Sequence, residues 1–161
     1  MQALLKSLAR RRHSRGFGIH SPFAYRFITE VLCLPGEYGY YAYAAAGRDR
    51  RRRMLVRLLA FFNPDSVLID LGREADRAEA LVREVCPRAA VNRGEPDFVI
   101  SDKDVSRFMP CNAMIVGPRT AEVLGTARAV LAHGMTFSDG RDCGVIAALA
   151  HLPRQDFELK I

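Results

Sequence analysis

No Cys-x-x-Cys pair occurs in this chain of 161 residues, because its four cysteines, Cys33, Cys86, Cys111 and Cys143, lie far apart. Neither a zinc site nor a disulfide framework is therefore suggested, and a reduced, cytoplasmic protein is expected. His13, His20, His133 and His151 are scattered, with no pair at ligand spacing, so no metal centre is expected. Ser21 does not stand in a Gly-x-Ser-x-Gly context and reads as a helix cap rather than a nucleophile. No apolar run approaches the roughly 20 residues that cross a bilayer. Lys6, Arg10, Arg11 and Arg12 also interrupt the continuous apolar segment that a signal peptide needs. Neither membrane insertion nor secretion is expected, and no recognised nucleic-acid-binding module is present.

What is present suffices for one domain: 49% of the residues are hydrophobic, enough for a real core at this length. The net charge of +6 is unevenly distributed. Residues 1–53 hold eleven Lys/Arg against three Asp/Glu, whereas the remainder holds thirteen against fifteen. Basic character belongs to the N-terminal third.

The pattern divides the chain into an N-terminal helical arm, residues 1–63, and an α/β body, residues 64–161, packed as a single structural domain. Residues 2–12 suit a short amphipathic helix with Leu4, Leu5 and Leu8 on one side. A loop follows at 15–20, where His20 serves best by holding the turn through hydrogen bonds. Ser21-Pro22 is a strong helix start, since serine caps free N–H groups and proline at the first position forfeits a donor that has no partner. Phe23, Phe27 and Val31, with Leu34 nearby, recur at helical spacing and should face the core. Pro35-Gly36 ends that helix. Tyr38, Tyr40, Tyr41 and Tyr43 form an aromatic stretch best suited to a seam between arm and body, and lead into a basic helix with Leu55, Leu58, Leu59 and Phe62 on its buried side.

After Pro64 strands alternate with helices. Strands are expected at 66–71, 89–92, 97–101, 113–116, 135–138, 144–149 and 156–160, and helices at 74–86, 103–108 and 119–132. This alternation implies a mostly parallel sheet with right-handed crossovers. No helix separates the last strands, only the turn at 138–142 or the short connection at 151–153, so residues 135–160 are expected to form an antiparallel pair at the sheet edge. Cys111 and Cys143 read as buried, small apolar residues.

Val67-Leu68-Ile69-Asp70-Leu71-Gly72 is a buried strand running into a tight turn, followed by an amphipathic helix with Ala75, Ala78, Leu81, Val82 and Val85 on its apolar side. Such a unit opens dinucleotide- and S-adenosylmethionine-binding folds, where glycines let the backbone approach the ligand. Together with Gly18-Ile19-His20-Ser21-Pro22-Phe23, the tyrosine-rich stretch and the closing segment from Met135 to Leu159, it resembles a group of small bacterial class I S-adenosylmethionine-dependent methyltransferases. The resemblance implies a reduced Rossmann-like methyltransferase sheet with a closing β-hairpin. It also implies a cofactor site at Asp70 and Gly72, with Asn92 near the ribose position about 20 residues on. Asp102 matches a position where related methyltransferases carry an Asp-Gly pair beside substrate or metal.

Departures from that pattern are specific. Glu74 and Asp76 occupy later glycine positions of the first turn, Lys103 replaces the glycine after Asp102, and Asn92 carries no charge. Between Val91 and Phe98 there is no room for the helix, strand and helix that complete the adenine side. A degenerate or atypical methyltransferase-like protein is expected, with S-adenosylmethionine binding weak or lost through repulsion by Glu74 or Asp76. Asp70 serves equally well as a cap for the helix that follows it.

Two runs, Arg10, Arg11 and Arg12, and Arg50, Arg51, Arg52 and Arg53, support the alternative of a non-enzymatic binding module, whose basic arm holds nucleic acid or an acidic protein partner. The same arginines also suit ion pairs with Glu74, Asp76, Glu79 and Glu84, or with a second subunit in a homo-oligomer. A purely structural or oligomerising role is the third possibility.

Overall fold

The structure, a computed structural model, describes residues 2–16, 18–34 and 42–161, with nothing said of the side chains of residues 2–6. Pro35-Gly36, Tyr38, Tyr40 and Tyr41, and the side chains of Leu4 and Leu5, fall outside the described residues. The arm contains α1 (Gln2–His13), α2 (Pro22–Arg26), α3 (Tyr43–Ala46) and α4 (Arg50–Phe62). Ser21 caps α2 by accepting from the Ala24 N–H at 3.3 Å, with Pro22 at its first position, as the sequence dictates. A wider π-helical turn, Phe27–Leu32, prolongs α2 and closes on a bond from the Cys33 N–H to the Ile28 carbonyl at 2.8 Å. Asp49 caps α4 by accepting from the Arg51 and Arg52 N–H groups at 2.9 and 3.0 Å. Asn63, in the left-handed region at φ 44°, ends that helix.

The body contains β1 (Ser66–Asp70), α5 (Ala75–Val85), β2 (Ala90–Val91), β3 (Phe98–Ser101), β4 (Asn112–Val116), α6 (Thr120–Val130), β5 (Met135–Ser138), β6 (Cys143–Ala147) and β7 (Gln155–Glu158). They form one seven-stranded sheet in the order β2-β1-β3-β4-β6-β5-β7. The fold is α/β with a mostly parallel sheet, and antiparallel pairing is confined to its C-terminal side. Among the described residues, no helix is long and apolar enough to cross a membrane.

The antiparallel pair forms across the 138–142 turn, between β5 and β6, and not across the 151–153 connection: β6 lies between β4 and β5, antiparallel to both, while β7 adds parallel to the outer side of β5 and takes the edge. Insertion saturates both edges of β6, so the chain must cross through residues 148–154 to find the next free edge, that of β5. The helix expected at 103–108 shrinks to a single 3-10 turn, Ser106–Phe108. Asp104 favours the turn by accepting from both the Ser106 N–H and its hydroxyl, which competes with a longer helix.

Alternation along the strands divides the core between the two faces of the sheet. Val67, Ile69, Phe98, Ile100, Met114 and Phe137 belong to one face, with buried Phe27, Ile28, Leu58 and Leu59 of the arm in the same cluster. Phe27 stacks on Phe23 at 5.4 Å between ring centroids and meets Phe137 of β5 at 5.0 Å. Val99, Ala113, Ile115 and Ile146 belong to the other face, covered by Val123, Leu124 and Ala127 of α6. Gly144 permits this approach: a Cβ there would stand 2.7 Å from Leu124 Cδ1.

Among the described residues of the arm, one charged side chain is buried. Arg57 is buried within α4 and donates from Nη1 to the Tyr43 hydroxyl at 2.9 Å, from Nη2 to the Leu32 carbonyl at 3.2 Å, and from Nε to the Val31 carbonyl. Carbonyls at the end of the π-helical turn, which have no continuing helix to bond, thus receive a fixed cationic donor.

Candidate functional site

In open parallel sheets ligands bind beyond the carboxyl ends of the strands. Here the ends of β1, β3 and β4 bring three of the four expected residues together. Asp70 is the last residue of β1, Asp102 follows β3, and Gly72 lies in the β1–α5 turn. A Cβ built on Gly72 would have the Asp102 Oδ2 at 3.9 Å as its nearest neighbour, so the turn is open on that side. Asp70 and Asp102 line a shallow groove of about 740 Å³ with Lys103, Arg107 and Arg119.

Asp70 does not cap α5; its carboxylate forms an ion pair with the Lys103 ammonium. Hydrogen bonding to Asp70 and its negative charge raise the Lys103 pKa above the ordinary lysine value. The Lys103 N–H donates to the Ser101 Oγ at 2.9 Å, which turns the chain at the end of β3 and presents the lysine to β1. No signal in the motif marked this contact, since it joins residues 33 apart through strand pairing.

Asn92 stands apart from the groove. It follows the two-residue strand β2, lies in the left-handed region at φ 56°, and its Oδ1 accepts from the Ile69 N–H at 2.8 Å. Its side chain therefore does for β1 what another residue of β2 would do with its backbone.

A second cavity, of about 300 Å³, lies at the same strand ends between α4, α5 and the sheet. Leu55, Leu71, Ile100 and Met114 supply apolar walls, while Arg52 and Glu74 add charge. Glu74 accepts from Arg52 at 2.9 Å and from Arg77 at 3.1 Å, so its carboxylate is met by two guanidinium groups of the chain itself. The charge of Glu74 is thus partly offset within the chain. Asp76, exposed in the first turn of α5, sits where the helix dipole favours an acid. The sequence revealed the charges but not the cavity, which α4 encloses.

The arginine runs divide by partner. Arg51 pairs with Asp142, Arg52 with Glu74, and Arg53 donates from Nε to the Gly47 carbonyl at 2.6 Å while its guanidinium lies 5.3 Å from the Tyr43 ring centroid. Arg50 donates to the Lys160 carbonyl at 3.1 Å, and Arg10 pairs with Glu158 at 2.9 Å. Arg11 and Arg12 are exposed on the last turn of α1.

Burial pushes the Cys111 and Cys143 thiols up to about 12, with nearby Asp97 and Asp139 respectively adding to the effect, which keeps both as inert thiols. Among the described residues, no group of three His, Cys, Asp or Glu is placed to hold a metal ion. Comparison of the chain with known protein families, with curated proteins and with solved structures finds no match.

Proposed function

We propose that this chain is a degenerate class I methyltransferase-like protein in which S-adenosylmethionine binding, and catalysis with it, is weak or lost. The observation that carries this reading is the Asp70–Lys103 ion pair. The acidic residue that the resemblance assigns to the cofactor is engaged by a lysine that replaces a glycine of the expected Asp-Gly pair.

Two features point the same way. The Asn92 oxygen is committed to the Ile69 N–H, so offering it to a ribose hydroxyl would expose a strand donor. Residues 92–97 join β2 directly to β3, leaving no element to cover an adenine ring. The residues present thus do not fit the cofactor. The β1 strand with its Asp70 and Gly72 turn, and the β5–β6 hairpin, support descent from the methyltransferase architecture.

Calorimetric titration with S-adenosylmethionine and with its demethylated product tests the proposal. No saturable binding in the micromolar range is expected for either compound. Micromolar affinity for one of them overturns the reading and makes an active methyltransferase the better account.

A second reading, a non-enzymatic module for an anionic partner, is favoured by a separate observation. Arg11, Arg12, Arg50, Arg141 and Lys160 have no carboxylate partner among the described residues.

A further inference from the structure

Four parts of the chain distant in sequence converge on a cavity of about 180 Å³: the end of α1, the start of α4, the β5–β6 turn and the C-terminal segment. Arg10, Arg50, Arg141 and Lys160 line it, with the hydroxyl-bearing Ser7. Asp139 is the acidic side chain of the lining, and its Oδ1 is occupied by the N–H groups of Arg141, Asp142 and Cys143 at 2.8, 3.0 and 3.1 Å. Arg50, Arg141 and Lys160 have no carboxylate partner among the described residues.

Arg10 lines the same cavity with part of its side chain exposed; its Nη2 donates to Glu158 at 2.9 Å, and its Nε is buried. The position of Arg10 is itself constrained by the β5–β6 turn. Gly140, in the left-handed region at φ 71°, lets the turn close beside this guanidinium, whose Nη2 lies 2.9 Å from where a Cβ would stand.

We propose that this cavity is a binding site for a small phosphate-type anion. Guanidinium groups match the oxygens of a phosphoryl group with paired N–H donors, and several cations around one cavity favour a multiply charged ligand over a single carboxylate. The volume is below the roughly 300–1,000 Å³ of pockets that enclose drug-sized ligands. It suits inorganic phosphate, pyrophosphate or one phosphoryl group, not a whole nucleotide. The site lies apart from the Asp70 groove and from the α4–α5 cavity, and shares no lining residue with either. It rests on the second reading above, the anion-binding module, and narrows that reading to a place and a ligand class.

Titration with pyrophosphate at constant ionic strength, followed by calorimetry and by the Arg Nε–Hε resonances in NMR spectra, tests the site. Saturable binding is expected, with a shift of the Arg10 resonance. R141Q and K160Q, both surface changes, should each weaken it about tenfold or more, as loss of a charge-assisted contact does. R88Q, on the α5–β2 connection, should leave it unchanged. Absence of saturable binding, or equal loss in all three variants, overturns the proposal. A single-stranded oligonucleotide assayed in parallel separates the two levels of the argument. If it binds and pyrophosphate does not, this site falls while the anion-binding reading stands; if neither binds, both fall.

Discussion

On one face of the sheet, Val67, Ile69, Phe98, Ile100 and Phe137 share a core with helices of the N-terminal third; on the other, Val99, Ala113, Ile115 and Ile146 are covered by α6. The first face holds the ring cluster of Phe23, Phe27, Phe61, Phe62, Phe98 and Phe137, with neighbouring centroids 5.0–6.2 Å apart. The second is built from smaller aliphatic side chains. The arm, basic in composition, therefore covers one face of the sheet together with α5. Its arginines stand on a fixed surface rather than on a loose tail, which is why Arg50 and Arg10 hold defined positions beside the C-terminal segment.

The sharpest way to break this comparison is Phe27→Ala. The side chain is fully buried and touches α4 and β5, so its loss should cost about 3–5 kcal/mol, measured by denaturant unfolding. Domains of this kind have about 5–15 kcal/mol in total, so partial unfolding at ambient temperature is within range. A neutral result would mean that the arm is not part of the core. Leu124→Ala on the opposite face should cost somewhat less, about 3 kcal/mol, because one helix rather than a ring cluster loses its contact. A Leu124→Ala effect exceeding that of Phe27→Ala would reverse the ranking of the two faces.

The smallest effect is expected at the mouth of the α4–α5 cavity. Arg52→Gln removes the partner of Glu74 but leaves Arg77 in place, and the pair is partly exposed. About 0.2–1 kcal/mol is expected from unfolding curves, falling further at high salt. A loss comparable to Phe27→Ala would show that the salt bridges, not the aromatic cluster, join the arm to the body.

Much of this architecture was legible because it depends on local rules. Short apolar runs at 66–70, 98–101 and 112–116, alternating with helical segments, marked the parallel strands, and the cap at Ser21-Pro22 marked the start of α2. The candidate groove was legible in part: Asp70, Gly72 and Asp102 follow strands that pair side by side, so their proximity follows once the sheet is parallel. Counting residues points to Asn92 but cannot reveal that its side chain replaces a missing strand residue. Lys103 was noted as a replacement, and its hold on Asp70 emerged only from the register of β1 against β3.

The sequence by itself determined the α/β alternation, the apolar faces of the helices and the excess of cations in the first third, because periodicity, capping and charge are properties of neighbouring residues. Tertiary structure alone decided that β6 would enter between β4 and β5, since an edge is free or taken according to what has already paired. It alone decided which arginines found carboxylates. Arg52 met Glu74 and Arg51 met Asp142, whereas Arg50, Arg141 and Lys160 were drawn together around one cavity without a salt bridge to a carboxylate among the described residues. Ion pairing acts over a few ångströms between residues as distant in sequence as Arg10 and Glu158, and only the folded chain sets those distances.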